Sequence, residues 1–248
     1  MRRRSQRITA IINEKGGTGK TTTADALAYG LSRREKVLSI DLDPQCNLSA
    51  VRGELEIKGP TIYDVLTGET TITSAVRRGE GGDFIAGSRN LAALSPPTGY
   101  LTDAIRELPG HYDFIVIDCP PTLGALSICA LTAATDIIIP VTPDVFALQA
   151  LANIRETVKA VRRHGNPDLK IAGILFTRYT GRTNITQEMS EVFAGAAAEL
   201  GTKVYKARIR ECTAIREAQA LRQNILTFTR SNGAQDYDQF ITEYKAEG

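Results

Sequence analysis

The sequence predicts an α/β fold, with a doubly wound, mostly parallel sheet and helices on both faces of that sheet. Short, continuously apolar runs, which are typical of strands buried on both sides, alternate with longer segments of helical period. Three glycines stand between the first apolar run and the first helical segment, where a tight strand-to-helix turn belongs. This alternation is typical of a sheet built from strand-helix-strand units.

Five apolar runs predict strands, and the periodic segments between them predict four helices. We expect the strands at 8–12, 37–40, 114–117, 137–139 and 171–176, and the helices at 20–34, 122–134, 145–164 and 184–200. Glycine and proline interrupt the alternation at 44–62 and 79–99, so we expect loops with short elements there. Since no repeat or long linker divides the chain, residues 1–248 are expected to form a single domain, with residues 1–7 as a flexible basic tail.

The composition is typical of a globular protein and disfavours several functional classes. The 248 residues are 42% hydrophobic and 23% charged, and the net charge of +2 is too small to indicate a nucleic-acid or membrane partner. The four cysteines are far apart and form no C-x-x-C pair, so we expect a reduced, cytoplasmic protein without zinc or disulfides. No run approaches the ~20 apolar residues of a membrane span, and the short run after the N-terminal arginines is not an export signal.

The glycine-rich turn has the chemistry of a phosphate site. Gly16, Gly17 and Gly19 lack Cβ atoms, so the backbone can turn tightly and direct its N–H groups at an anion. Lys20 supplies a cation for the β- and γ-phosphates, and the Thr21 hydroxyl can ligate Mg²⁺. We therefore predict a P-loop NTPase that binds ATP and Mg²⁺. The predicted nucleotide contacts are Lys15, Gly16, Gly17, Thr18, Gly19, Lys20, Thr21, Thr22 and Asp118.

The start of this loop departs from the general pattern. The form G-x-x-x-x-G-K-[ST] requires glycine at position 14, whereas this chain has Glu14 followed by Lys15. The segment K-G-G-T-G-K-T-T at 15–22 resembles the loop of the deviant Walker A ATPases, the ParA/MinD family. That resemblance implies an ATP-dependent sandwich homodimer in which Lys15 reaches the phosphates bound by the other subunit, as an arginine finger does. The alternative is a solvated loop lysine.

Two acids after the second strand resemble another element of the family. The segment Asp41-Leu-Asp43-Pro-Gln-Cys46-Asn47 is close to the D-x-D-P-Q-x-N of switch I, with Cys46 where glycine is commoner. The resemblance implies that Asp43 orients the attacking water and contacts Mg²⁺ through water. Capping of the following loop is the alternative for Asp43 and, more strongly, for Asp41.

A third element follows the strand at 114–117. Four apolar residues and then Asp118 have the form of a Walker B strand at a suitable distance after the phosphate loop. The next residues, Cys119-Pro-Pro121, resemble the family's D-x-P-P switch II, which implies that Asp118 holds the water shell of the metal. The resemblance thus implies a catalytic set of Lys15, Lys20 and Asp43 and a metal set of Thr21, Asp43 and Asp118.

The resemblance runs from about residue 8 to 240 and is greatest to the short ParA/Soj type. It weakens at 209–218, where I-R-E-C-T-A-I-R-E-A replaces the family's I-P-R-N-V-R-L-S-E-A, so we assign no adenine ligand. A membrane-bound MinD type needs a basic amphipathic C-terminal helix, but 235–248 is mostly acidic. An iron–sulfur type needs paired interface cysteines, whereas Cys119 and Cys129 fit a protein core.

The C-terminal third carries a local basic excess that the overall charge conceals. The predicted DNA-binding residues are Lys203, Lys206, Arg208, Arg210, Arg216 and Arg222. The alternative is a solvated helical surface. We predict a cytoplasmic, nucleoid-associated ParA-like ATPase that binds DNA nonspecifically, segregates plasmid or chromosomal DNA, and is stimulated by a ParB-like partner, with no membrane partner. A nucleotide-switched scaffold for a non-DNA protein cargo is the alternative.

Overall fold

The computed structural model describes residues 6–54, 56–180 and 184–246, which contain eight strands and ten α-helices. The strands are β1 (Arg7–Ile11), β2 (Val37–Asp41), β3 (Val76–Arg77), β4 (Asp83–Ile85), β5 (Phe114–Asp118), β6 (Asp136–Val141), β7 (Lys170–Tyr179) and β8 (Val204–Arg210). The helices are α1 (Lys20–Ser32), α2 (Asn47–Val51), α3 (Ile62–Leu66), α4 (Ile72–Ala75), α5 (Tyr100–Arg106), α6 (Ala125–Ala133), α7 (Val145–His164), α8 (Asn184–Glu199), α9 (Thr213–Leu221) and α10 (Asn232–Lys245). Two 3₁₀ helices span Arg89–Ala93 and Ile225–Thr227.

The eight strands form one sheet in the order β3-β4-β2-β5-β1-β6-β7-β8. Every pairing in that sheet is parallel except that of β3 with β4 at one edge. The predicted α/β fold with a doubly wound, mostly parallel sheet is confirmed, and each predicted strand and helix is present. The helix expected from residue 122 begins at Ala125, because 121–124 form a bend after the two prolines.

Each face of the sheet has its own apolar core. Successive residues of a strand point to opposite faces. In β1, Ile11 therefore packs in one cluster with Leu27 of α1 and Phe240 of α10, whereas Ala10 belongs to the opposite cluster with Ile154 of α7. The apolar side of α10 is thus part of the core. No helix in the described ranges is both long and apolar enough to cross a bilayer.

Arg7 is the first residue of β1, so the prediction that it belongs to a flexible tail is wrong. Its Nε donates to Asp136 Oδ2 at 2.6 Å, and its guanidinium carbon lies 3.8 Å from the centre of the Tyr244 ring. The Thr9 hydroxyl joins the same network, 2.8 Å from Asp136 Oδ1 and 2.6 Å from the Tyr244 hydroxyl. The pairing of Arg7 with a buried carboxylate fixes it in the sheet. Residues 1–5 of the predicted tail lie outside the described residues.

A buried ion pair joins α1 to the segment that follows α2. Arg52 Nε lies 2.8 Å from Asp25 Oδ1, and the two side chains are 4% and 6% exposed. Asn224 Nδ2 donates to Asp25 Oδ2 at 2.6 Å. Burial raises the pKa of Asp25, although the charge of Arg52 acts in the opposite direction. The pair therefore connects three separate parts of the chain in a region that water does not reach.

We expect Arg52→Met to lower the free energy of unfolding by about 3–5 kcal/mol, because it leaves the buried Asp25 carboxylate without its cation. Urea denaturation measures the loss. Arg33→Met is the matched control. Arg33 pairs with Asp238 at 2.8 Å, but both side chains are about half exposed, so removal of that pair costs about 0–1 kcal/mol. Equal losses in the two variants would contradict the assigned role of burial.

Candidate nucleotide-binding site

Three parallel strands bring the predicted acids and the glycine loop to one edge of the sheet. β5 lies between β1 and β2, and Asp118 is in register with both Ile11 and Asp41. The loop leaves the carboxyl end of β1, and Asp43 follows β2 by two residues. Because the carboxyl ends of neighbouring parallel strands meet at one edge, the predicted phosphate-loop, switch I and Walker B residues converge.

The phosphate loop has the backbone geometry that its glycines predict. Gly17 and Gly19 have φ angles of 74° and 79°, which residues with a Cβ adopt only under strain. α1 begins at Lys20 immediately after Gly19, so its first N–H groups and the positive end of its dipole face the loop. The Thr177 hydroxyl of β7 donates to the Thr18 carbonyl oxygen at 2.9 Å and fixes the turn from the other side. The loop is therefore a preformed anion cradle.

Asn13 braces the loop and is not among the predicted site residues. Its Nδ2 donates to the Pro140 carbonyl oxygen at 2.7 Å, and its Oδ1 accepts from the Lys15 N–H at 3.0 Å. The side chain is 1% exposed. Asn13 therefore ties the start of the loop to β6, which pairs with β1. Its position directly between the first strand and the loop was the available signal.

Lys20 lies inside the site rather than at its rim. The residue is 7% exposed, and Nζ donates to the Lys15 carbonyl oxygen at 3.2 Å. Burial lowers the pKa of Lys20, although Asp118 and Asp43 act in the opposite direction. A desolvated ammonium at this point would gain strongly from an anion in the cradle. The predicted phosphate role of Lys20 fits this geometry.

Asp118 is a fully buried carboxylate without a hydrogen-bond partner. It is 0% exposed, and neither of its oxygens has a partner among the described residues. Burial raises its pKa well above the ordinary value, and the charge of Asp41 adds to the rise. The Thr21 hydroxyl offsets part of that rise without reaching full hydrogen-bond geometry. Two unpartnered oxygens beside a hydroxyl fit a hydrated Mg²⁺, and the assignment of Asp118 to the metal stays a prediction.

The described residues hold no group of three or more His, Cys, Asp or Glu side chains arranged to bind a metal ion by themselves. Mg²⁺ in proteins keeps several waters and usually takes one or two carboxylates together with substrate phosphates. Asp118 and the Thr21 hydroxyl are the groups of this site that would hold such a hydrated ion.

Asp41 and Asp43 have different surroundings. Asp41 Oδ2 accepts from the Ser49 N–H at 2.8 Å and from its hydroxyl at 2.7 Å, so Asp41 is the loop cap that the alternative interpretation describes. Burial raises the pKa of Asp41 to about 6. Asp43 is 6% exposed and borders the cavity beside the loop, and its Oδ1 accepts from the Gln45 N–H at 2.9 Å. It combines a local cap with a place in the site.

The turn between these acids and α2 carries backbone strain. Cys46 is the residue before α2 and has φ 54° and ψ 33°, in the left-handed region. The left-handed region costs an L-residue with a Cβ roughly 1–2 kcal/mol of conformational free energy. Glycine, the commoner residue at this position in the family that the sequence resembles, adopts it at little cost. The predicted switch I segment is therefore held in a strained conformation by the contacts at both of its ends.

A cavity of about 730 Å³ extends from the loop toward α9. Its walls include Lys20, Thr22 and Asp43 at one end and Ile209, Cys212 and Ile215 at the other. Gln219 Nε2 of α9 donates to the Thr22 hydroxyl at 2.9 Å and joins the two ends. The divergent segment at 209–218 thus forms the far wall of the same cavity, and its volume suits a nucleotide.

The predicted DNA-binding residues do not share one environment. Lys203 pairs with Glu243 at 3.4 Å, Arg210 with Asp236 at 2.6 Å, and Arg216 with Glu211 at 4.0 Å. Arg208 donates to the Tyr179 hydroxyl at 2.6 Å and lies over the Tyr179 ring. The residues of this set that line the cavity are Arg210, Arg216 and Arg222.

Two members of the set are exposed and differ from the rest. In the described parts of the chain, neither Lys206 nor Arg222 takes part in an ion pair. Lys206 is an exposed residue of the edge strand β8, and Arg222 is the C-cap of α9, with a φ of 54°. These two are the side chains of the set best placed to meet a large anion, and the DNA assignment as a whole stays a prediction.

Comparisons with known proteins show sequence similarity over nearly the whole chain. A family model described as an AAA domain matches residues 6–171. The chromosome partitioning protein ParA of Caulobacter vibrioides is 35% identical over 245 residues, with 93% of this chain and 91% of that protein covered. The sporulation initiation inhibitor protein Soj of Bacillus subtilis is 34% identical, with 98% of this chain and 99% of that protein covered.

The fold also matches a solved structure that contains a nucleotide and a metal. The septum site-determining protein MinD of Pyrococcus horikoshii, complexed with Mg-ADP, aligns with a TM-score of 0.78 and 28% sequence identity. The alignment covers 98% of each chain.

We expect Asp118→Asn to stabilise the protein in the absence of Mg²⁺ and nucleotide, by about 1–3 kcal/mol at pH 8, because it removes an unpartnered buried charge. The gain shrinks as the pH falls through the raised folded-state pKa of Asp118, since the wild-type carboxyl then becomes neutral. The same variant weakens Mg²⁺-dependent nucleotide binding. Urea denaturation at pH 8 and pH 5 and titration calorimetry measure the two effects.

Asp103→Asn is the control for this experiment. Asp103 is a 73% exposed carboxylate of α5, and its replacement is expected to change the free energy of unfolding by less than about 0.5 kcal/mol at either pH. A loss of stability in Asp118→Asn at pH 8, with Mg²⁺ binding unchanged, would show that Asp118 is a structural residue only.

Proposed function

This chain belongs to the ParA/MinD family of P-loop ATPases, and from that membership we propose that it is a partitioning ATPase of the ParA/Soj type. ATP and Mg²⁺ bind at the loop of 15–22, ATP closes a homodimer, and hydrolysis stimulated by a ParB-like partner opens it again. The observation that carries the proposal is the juxtaposition of a glycine cradle, the buried Lys20 and the unpartnered Asp118 at one edge of the sheet.

Backbone and side-chain groups of the site bind different parts of the magnesium nucleotide. Backbone N–H groups of Gly16 to Gly19 and the start of α1 hold phosphate oxygens, and Lys20 neutralises them. The Thr21 hydroxyl and Asp118 would hold Mg²⁺, which when bound would offset the charge of the phosphates. Because the cradle exists before the ligand arrives, little ordering is needed on binding.

Asp43 orients the attacking water in this proposal. Its carboxylate is nearly buried, borders the cavity beside Lys20, and is held by the Gln45 N–H. A fixed carboxylate can accept a hydrogen bond from water and hold it in line with the bond to be broken. The strained turn at Cys46 then moves with the presence or loss of the γ-phosphate and shifts α2. In this way a bound nucleotide would change the outer surface of the protein.

Nonspecific DNA is the proposed ligand of the ATP-held dimer. Lys206 and Arg222 contribute exposed charge, and a dimer doubles their number. Such contacts bind the phosphate backbone without reading sequence and weaken steeply with salt. The protein then acts in the cytoplasm on the nucleoid, with plasmid or chromosomal DNA as its cargo.

A scaffold for a non-DNA protein cargo is the second candidate, and a specific observation favours it. Acidic side chains neutralise Lys203, Arg210 and Arg216, so the basic excess seen in the sequence is reduced on the folded surface. A structural neighbour at 28% identity is a septum site-determining protein. A dimer that forms with ATP but does not bind DNA would support this candidate.

We expect Asp43→Ala to lower single-turnover ATP hydrolysis about 100-fold or more while ATP-dependent dimerisation persists, because only the water-orienting group is lost. Lys20→Ala is expected to abolish nucleotide binding, and Lys15→Gln to abolish both dimerisation and turnover. Phosphate release and light scattering measure the effects.

Asp168→Ala provides the matched control, since Asp168 is an exposed carboxylate next to the amino end of β7, at the opposite edge of the sheet. Its turnover is expected to equal that of the wild type. Normal turnover in Asp43→Ala would refute the switch I assignment, and normal dimerisation with normal turnover in Lys15→Gln would refute the cross-subunit role.

We expect ATP-dependent DNA binding that weakens roughly 100-fold between 50 and 200 mM salt, as about four phosphate contacts per dimer require. The variant Lys206→Glu removes part of that binding and flattens the salt slope without changing dimerisation, because Lys206 lies outside the nucleotide cavity. Lys58→Glu is the control, because Lys58 is 86% exposed near β3, at the other end of the sheet from β8. DNA binding that is equal with and without ATP would contradict the proposal.

A further inference from the structure

Asp25 of α1 holds two elements that are far apart in the sequence. Its Oδ1 lies 2.8 Å from Arg52 Nε, and its Oδ2 accepts from Asn224 Nδ2 at 2.6 Å. Arg52 is the C-cap of α2, and Asn224 is the N-cap of the 3₁₀ helix that follows α9. One buried carboxylate therefore connects the end of α2 to the segment after α9.

Both of these helices border the nucleotide cavity. Val51 of α2 and Gln219 of α9 line it, and Asp25 lines it as well. Gln219 also donates to the Thr22 hydroxyl at 2.9 Å. Residues three positions apart lie on one face of a helix, so Thr22 and Asp25 share a face of α1. That face is therefore held both by α9 with its following segment and by the end of α2.

The position of α2 bears directly on the predicted water-orienting residue. α2 is a helix of five residues that closely follows Asp43. A helix this short has little stability of its own, so its position depends on its attachments. The Ser49 side chain and N–H bind Asp41 near one end, and Arg52 binds Asp25 at the other. A shift of Arg52 would therefore shift the segment that carries Asp43.

The ion pair of Asp25 and Arg52 is better suited to fix a position than to add stability. The two side chains are nearly buried, and Arg52 Nη2 is also buried without a hydrogen-bond partner among the described residues. Such a pair gains little over apolar side chains of similar volume, because removal of both charges from water is costly. Two charges that must meet nevertheless tolerate fewer arrangements of α2 than an apolar contact does.

We propose that Asp25 is a positioning residue for ATP hydrolysis, which links the cavity wall formed by α9 to the switch I segment through Asn224 and Arg52. A base seated against α9 then fixes Asn224 and Asp25, and through Arg52 it fixes α2 and the segment of Asp43. Binding energy from the base, which is remote from the bond that breaks, is thereby used to hold the water-orienting group in place. This inference rests on the proposed function, which gives Asp43 that role.

The test compares ATP with ribose 5′-triphosphate, which carries the same phosphates but no base. Single-turnover phosphate release by the full-length protein with Mg²⁺, over a series of ligand concentrations, gives a maximal rate and a KM for each. In the parent protein the maximal rate with ATP is expected to be about 10-fold or more above that with ribose 5′-triphosphate, a ratio within the ordinary range of coupling between two sites.

Two variants cut the link at different places. Asp25→Leu with Arg52→Met replaces the ion pair by apolar side chains, so the urea midpoint is expected to stay at or above that of the parent. Asn224→Ser keeps an N-cap oxygen for the 3₁₀ helix but is too short to reach Asp25. In both, the ratio of the two rates is expected to fall to about 1–2 through loss of the ATP rate, with the KM for ATP changed by less than about twofold.

Arg7→Met with Asp136→Leu is the matched control, because it removes a largely buried ion pair where β1 and β6 begin, at the opposite edge of the sheet. Its ratio is expected to equal that of the parent. A parent that hydrolyses both ligands at one rate overturns this inference and leaves the proposed function intact. The same holds if either variant keeps the parent ratio, or if the control loses it equally. A parent that hydrolyses no ATP defeats the proposed function and this inference together.

Discussion

The site depends on one constraint: buried negative charge at the carboxyl ends of two neighbouring strands. The register of β5 with β2 places Asp118 beside Asp41, with Asp43 two residues further on. Ser49 satisfies Asp41, and nothing in the described residues satisfies Asp118. Lys20 is a buried cation beside these carboxylates, and its own burial is costly. A ligand that carries both a divalent cation and an anion satisfies the carboxylate of Asp118 and the ammonium of Lys20. The arrangement therefore suits a magnesium nucleotide.

The loop above these charges is held in place from several directions, so its shape does not depend on the ligand. Asn13 binds it to β6 and Thr177 binds it to β7, while the glycines permit the turns that both contacts require. On the other side, the Asp25 and Arg52 pair fixes the segment after α2 against α1. Cys46, with its left-handed backbone, stands between these fixed points. Rigidity on both flanks confines any movement to the short stretch that contains Asp43.

Most of the fold and the core of the site could be predicted because their signals are local. The central strands are continuously apolar, and the glycine loop, Asp43 and Asp118 lie in short motifs. β8 was missed because its residues alternate between buried Tyr205 and exposed Lys206, a mixed pattern without an apolar run. Asp25 and Asn13 were missed because each forms a hydrogen bond with a residue that is distant in the sequence. The ion pairs of Lys203, Arg210 and Arg216 could not be predicted, because the sequence does not show which basic side chains have acidic neighbours.

The contacts of α10 have a consequence for how the protein is made. Tyr244 meets Thr9 across 235 positions of sequence, and Phe240 and Ile241 supply much of the apolar surface against which α1 packs. A nascent chain on the ribosome thus has the phosphate loop long before it has the wall that supports α1. Until α10 emerges, the first strand and the helix after the loop lack one side of their core. Synthesis is therefore expected to delay a competent nucleotide site until α10 has emerged.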